Sequence, residues 1–142
     1  MSTDATVAAL QQTLAGEYAA VYAYGVLGGR LPTGSPLERQ AADGYDTHRS
    51  RRDAVTALVI AHGQLPRPAA PGYALPLPVD GGSAARTVAA QVEDRCAVLY
   101  ASLVAVTSGA DRAWAIAALT DAATRGLSWG LAPAALPGVG RP

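Results

Sequence analysis

Apolar residues recur along this chain at alternating steps of four and three in two stretches, the first and third of four that read as helical. In the first, Leu10, Leu14, Glu17, Val21, Tyr24 and Gly28 share one helical face, with a single carboxylate set into it. This spacing predicts a helix over about residues 4–28, capped by Ser2 or Thr3 and stopped at Gly28-Gly29. A short turn leads to Ser35-Pro36-Leu37-Glu38, a capping box with proline at the first helical position. It opens a second helix over about 36–62 that ends at Gly63 and returns antiparallel to the first. The third helix, about 84–107, is expected to be capped by Ser83 and carries the seam Ala85, Ala89, Val92, Cys96, Leu99, Leu103 and Val106. The fourth, about 110–130, spreads Trp114, Ile116, Leu119, Leu127 and Trp129 around its circumference. Apolar residues on more than one face imply a second buried surface, so a homodimer is expected with Trp114 or Trp129 between subunits.

Between the second and third helices the periodicity disappears. Pro66, Pro68, Pro71, Pro76 and Pro78 are half of the ten prolines, and Gly81-Gly82 closes the stretch. No continuous helix survives that spacing. Neither flanking half is large enough for its own core, so residues 63–82 read as a crossover within one domain spanning 1–142. Tyr73, Leu75 and Leu77 should pack on the side of the bundle, and the route leaves helix 3 parallel to helix 2. The tail from Leu131, with Pro133, Pro137 and Pro142, reads as irregular.

Composition changes the picture mainly by exclusion. Eleven arginines, the only basic residues apart from histidine, balance eleven acids. No net charge draws the protein to nucleic acid or to an anionic membrane. The longest uncharged stretches, Cys96 to Ala110 and Gly126 to Gly140, are too short to span a bilayer. Met1-Ser2-Thr3-Asp4 lacks the basic start of a secretory signal, and a cytoplasmic location is expected. Cys96, alone among apolar neighbours, reads as a reduced buried thiol.

Candidate chemistry lies where the seams turn polar. Glu17, His48, Glu93 and Asp121 each fall near the middle of one helix, and helix midpoints meet at one level of a bundle. Buried carboxylates need cationic partners or a metal. Arg51 or Arg52, one turn beyond His48, can supply a guanidinium. Alternatively Glu17, His48 and Glu93 form a reduced metal site for a single iron, manganese or zinc ion. No other cofactor is indicated, and a small-molecule ligand is not defined by the sequence. His62 at a helix end suits the helix dipole. Gly126-Leu127-Ser128-Trp129-Gly130 matches the nucleophile-elbow pattern by letter alone, because it ends a helix and no acid or histidine follows it.

The run Glu17-Tyr18-Ala19-Ala20-Val21-Tyr22-Ala23-Tyr24-Gly25 resembles an uncharacterised ferritin-like family of bacterial proteins, a domain of unknown function. His48-Arg49-Ser50-Arg51-Arg52-Asp53 and Gly72-Tyr73-Ala74-Leu75-Pro76 share that resemblance. It implies an all-α, ferritin-like four-helix bundle and no established reaction. The di-iron pattern of that fold takes a Glu from each of two helices and Glu-x-x-His from the other two. Here Tyr45 and Val59 stand three residues before His48 and His62, and the chain holds only Glu17, Glu38 and Glu93. Ferroxidase or oxygenase chemistry is therefore disfavoured. The expected role is a non-enzymatic structural or binding protein with a salt-bridged polar core, and the alternative is metal binding at the reduced site.

Overall fold

A computed structural model describes residues 2–140. Helices α1 (Thr3–Arg30), α2 (Pro36–Ala61), α3 (Gly82–Val106) and α4 (Gly109–Trp129) form an all-helical bundle, with no strand among the described residues. The four expected helices are present, and two of their ends differ. Gly28-Gly29 does not stop α1, which runs on to Arg30 because the backbone bond from Leu31 N–H to Leu27 carbonyl continues the ladder. Ser83 does not cap α3. Gly81 stands at that position with φ of 96°, a left-handed backbone open to glycine at little cost. Ser35 caps α2 as expected, its Oγ accepting from Glu38 N–H at 3.1 Å.

Contacts along the helices set their directions. Thr6 Oγ1 donates to the Val106 carbonyl at 2.7 Å, while Tyr24 at the other end of α1 reaches Glu93, so α1 and α3 are antiparallel. His48 meets Glu17, and Val55 and Val59 pack with Leu10 and Leu14, so α2 is also antiparallel to α1. Helices α2 and α3 are therefore parallel, as the long crossover requires. Helix α4 runs against α2, from His62–Asp111 at one end to Gln40–Ser128 at the other.

The crossover lies along α1. Gln11, nearly buried, grips its start at two points: Nε2 donates to the Leu65 carbonyl at 2.8 Å, and Oε1 accepts from Arg67 N–H at 3.0 Å. Further on, Tyr73 stacks at a tilt on Tyr22. Tyr73, Leu75, Leu77 and Val79 then turn inward at every second residue, the period of an extended segment. The tail over 131–140 is irregular, as expected, and Pro142 lies outside the described residues.

Two apolar layers flank a polar level. Leu10, Leu14, Val55, Val59, Leu103 and Ala115 fill one end, and Leu27, Leu31, Ala41, Val79, Val88 and Trp129 lie in the other. Between them α4 docks by small residues, Ala118 and Ala122, against Ala20, Cys96 and Ala97. The structure buries Ala20 and Leu27 on the α1 seam rather than Val21 and Gly28. It also corrects the interface expected at Trp129. This indole is buried in its own chain, and its Nε1–H donates to Tyr24 Oη at 2.9 Å.

A buried Glu–His–Glu cluster as the candidate functional site

Helix geometry brings Glu17, His48 and Glu93 together, each at most 1% exposed. His48 lies between the two carboxylates. Its Nδ1 is 2.8 Å from Glu17 Oε2 and its Nε2 is 3.2 Å from Glu93 Oε1. Each ring nitrogen faces a carboxylate oxygen, an acceptor, so the arrangement suits the doubly protonated imidazolium. Burial works against that charge, but the hydrogen bonds and negative charge of Glu17 and Glu93 outweigh it. The pKa rises from 6.5 to about 9.

Two tyrosines complete the cluster. Tyr100 Oη–H donates to Glu17 Oε1, and Tyr24 Oη–H donates to Glu93 Oε1 at 2.5 Å. Burial and the neighbouring carboxylates push both hydroxyls well above their ordinary range, so both act as neutral donors. The Tyr24 ring also stacks on His48, with centroids 5.4 Å apart. Gly44 makes room for it, since a Cβ there would fall 2.3 Å from the Tyr24 ring.

The guanidinium expected on Glu17 is one step removed. Arg51 Nη1 donates to Tyr100 Oη at 3.4 Å, its guanidinium lies 5.3 Å from the Tyr100 ring centroid, and Nη2 pairs with Asp121. Arg52 turns away to Asp53. The reason is length and geometry: with Tyr100 on one oxygen of Glu17 and His48 on the other, the nearby cation is best placed behind the phenol. Asp121 also accepts from Arg125 Nε at 2.8 Å, and Arg125 reaches Thr47 Oγ1 at 2.6 Å. Burial would raise the Asp121 carboxyl, but the two guanidiniums hold it below its ordinary value.

Glu93 is fully buried. Its Oε2 is the single buried side-chain polar atom without a partner among the described residues. Cys96 is close by, and one ligand atom each from Glu17, His48 and Cys96 lie within 4.8 Å of one another. Burial, then the charges of Glu17 and Glu93, push the Cys96 thiol up, so it is neutral here. This donor set does not fit a di-iron centre: two carboxylates, one imidazole and one thiol replace the required four Glu and two His.

Sequence reasoning missed Tyr100, Cys96 as a cluster member, and the Trp129–Tyr24 link. The signal for the first two was present, because Glu93, Cys96 and Tyr100 follow steps of three and four. Of the other residues considered, His62 Nε2 pairs with Asp111 at 2.8 Å near the start of α4. Ser128 Oγ donates to the Arg125 carbonyl at 2.7 Å within the last turn of α4, a local helix-end bond.

Residues 9–141 match the family described as Domain of unknown function (DUF4439). The chain is also similar to a conserved hypothetical protein, rv2844, from Mycobacterium tuberculosis, known from a crystal structure. The two share 34% identity over 91% of this chain and 97% of that one, with a TM-score of 0.84. No curated protein matches. With a family match over nearly its whole length and a structural relative of the same size, the chain belongs to the DUF4439 family.

Proposed function

We propose that this protein is a non-catalytic structural or binding bundle of ferritin-like descent, whose ancestral ligand level has become a salt-bridged polar core. One observation carries the reading: His48 occupies the place of a cation between Glu17 and Glu93. With both acids ionised the inner cluster holds one net negative charge, and Arg51, Asp121 and Arg125 supply a compensating outer shell. A cytoplasmic homodimer belongs to the same reading. Ile116 and Leu127 on the outside of α4 remain 47% exposed and offer it a surface.

Glu17 provides the test. Its two oxygens answer His48 and Tyr100, so Glu17→Ala leaves two buried donors unpaired. Breaking a buried ion pair costs about 3–5 kcal/mol. Thermal and denaturant melting in chelator should show a loss of that order for Glu17→Ala, and a smaller one for Glu17→Gln, which keeps an acceptor. An unaffected Glu17→Ala in chelator would overturn the polar-core reading.

A second reading, binding of one metal ion at Glu17, His48 and Glu93, is favoured by the unpartnered Glu93 Oε2. A carboxylate oxygen left bare in the interior is costly unless a proton, water or cation answers it. No helix among the described residues is long and apolar enough to cross a membrane.

A further inference from the structure

We propose that Glu17, His48 and Cys96 form a mononuclear site for a thiophilic divalent cation of the zinc class, with Glu93 as the residue that orients His48. This rests on the metal-binding reading and changes its ligand set, exchanging a carboxylate for a thiolate.

The three donors come from three helices and are all buried, and one atom from each lies within 4.8 Å of the others. Tetrahedral zinc with N, O and S ligands holds neighbouring donor atoms about 3.3–3.5 Å apart, as follows from bond lengths of about 2.0–2.3 Å. The cluster therefore closes on an ion with side-chain movements on the order of 1 Å. A carboxylate, an imidazole and a thiolate together suit zinc or cobalt(II) better than magnesium or calcium, which prefer oxygen alone.

The surroundings match what such a site requires. A histidine ligand ordinarily donates its second ring N–H to a carboxylate, which fixes the tautomer and the ring plane. His48 already has this partner: Nε2 faces Glu93, leaving Nδ1 for the ion beside Glu17. Tyr100 holds the other oxygen of Glu17, as an outer partner of a ligating carboxylate does. Glu93 also forms part of the wall of a cleft between α3, α4 and the tail. Uptake exchanges protons for metal. The ion takes the place of the Nδ1 proton of His48 and of the Cys96 thiol proton, and both pass to solvent, while Glu17 ligates through a carboxylate oxygen.

Cobalt(II) and zinc titrations of protein made without a histidine tag test the site. Wild type should bind one ion per chain, and the cobalt form should show a thiolate-to-metal charge-transfer band in the near ultraviolet. Cys96→Ser should lose that band, and Glu93→Gln should weaken zinc binding by about 10–100-fold. The wild-type spectrum decides the matter even where a variant fails to fold. One bound ion without the charge-transfer band, or unchanged zinc affinity in Cys96→Ser, would refute the thiolate ligand set while leaving metal binding in place. No uptake of either ion by wild type would remove the metal-binding reading itself.

Discussion

At the scale of the residue, His48 shows how position decides charge. In the unfolded chain its pKa is near 6.5, and between Glu17 and Glu93 it is about 9. A group whose pKa is raised on folding contributes stability while it is protonated in both states, so the contribution is complete below about pH 6.5. It falls as pH rises and is lost once the pH passes about 9. The shift corresponds to a stabilisation on the order of 3 kcal/mol. Melting across this window should therefore show stability declining towards alkaline pH, with a shallower decline in Glu93→Gln, which removes one of the two carboxylates raising the pKa. A flat profile in wild type would contradict a charged His48. Glu17, His48 and Glu93 were legible as one level from helix midpoints alone. Tyr100 lies at helical spacing from Glu93 and Cys96, but only the structure shows its hydroxyl on Glu17.

At the scale of the element, glycine spacing governs how closely α1, α2 and α3 approach. A Cβ at Gly44 would lie 2.3–2.7 Å from three ring atoms of Tyr24, a ring fixed by Glu93, His48 and Trp129. At Gly16 the obstacle is only the end of the Leu99 side chain, at 2.2 Å, and that end can rotate. Replacing a helical glycine with alanine gains about 1 kcal/mol of propensity. Overpacking a rigid site costs about 1–3 kcal/mol. Gly44→Ala should therefore lower the melting temperature, and Gly16→Ala should leave it nearly unchanged or raise it. Equal effects at the two sites would show that Tyr24 is not held as described. The proline spacing announced the crossover, yet its attachment by Gln11 was invisible, since Gln11 reads as one more polar residue of α1.

At the scale of the whole molecule, burying both faces of α4 within one chain is impossible in a four-helix bundle. Its inner face uses Ala115, Ala118, Ala122, Gly126 and Trp129, so Ile116 and Leu127 stay outside. Val98, Leu136 and Val139 are also exposed, and with Leu127 they line the cleft beside the tail. For the proposed homodimer, light scattering should give twice the chain mass, and Leu127→Asp should shift it towards the monomer. A monomeric wild type would end that proposal. The reversal of roles on α4 was not predictable from residue size. Small residues took most of the interior because they let α4 approach α3 closely; Trp129 is buried beside them, and Ile116 and Leu127 were left outside.

Periodicity, capping residues and proline spacing were enough to determine four helices, one crossover and a polar level at mid-bundle, because these follow from local backbone preferences and from which faces are apolar. The three glutamates and the missing Glu-x-x-His pairs determined, with equal independence of structure, that a four-Glu, two-His di-iron centre cannot be assembled. Only tertiary structure decided which cation meets Glu17. Arg51 and His48 are three residues apart on α2 and both lie near the carboxylate, but Tyr100 from α3 takes the oxygen that Arg51 would need. Only tertiary structure placed Cys96 beside His48 and left Glu93 Oε2 unanswered. Pairings of this kind depend on rotations and sub-turn shifts between helices distant in sequence. Helical spacing specifies a face and a level, and the chemistry here turns on differences of one or two ångströms within that level.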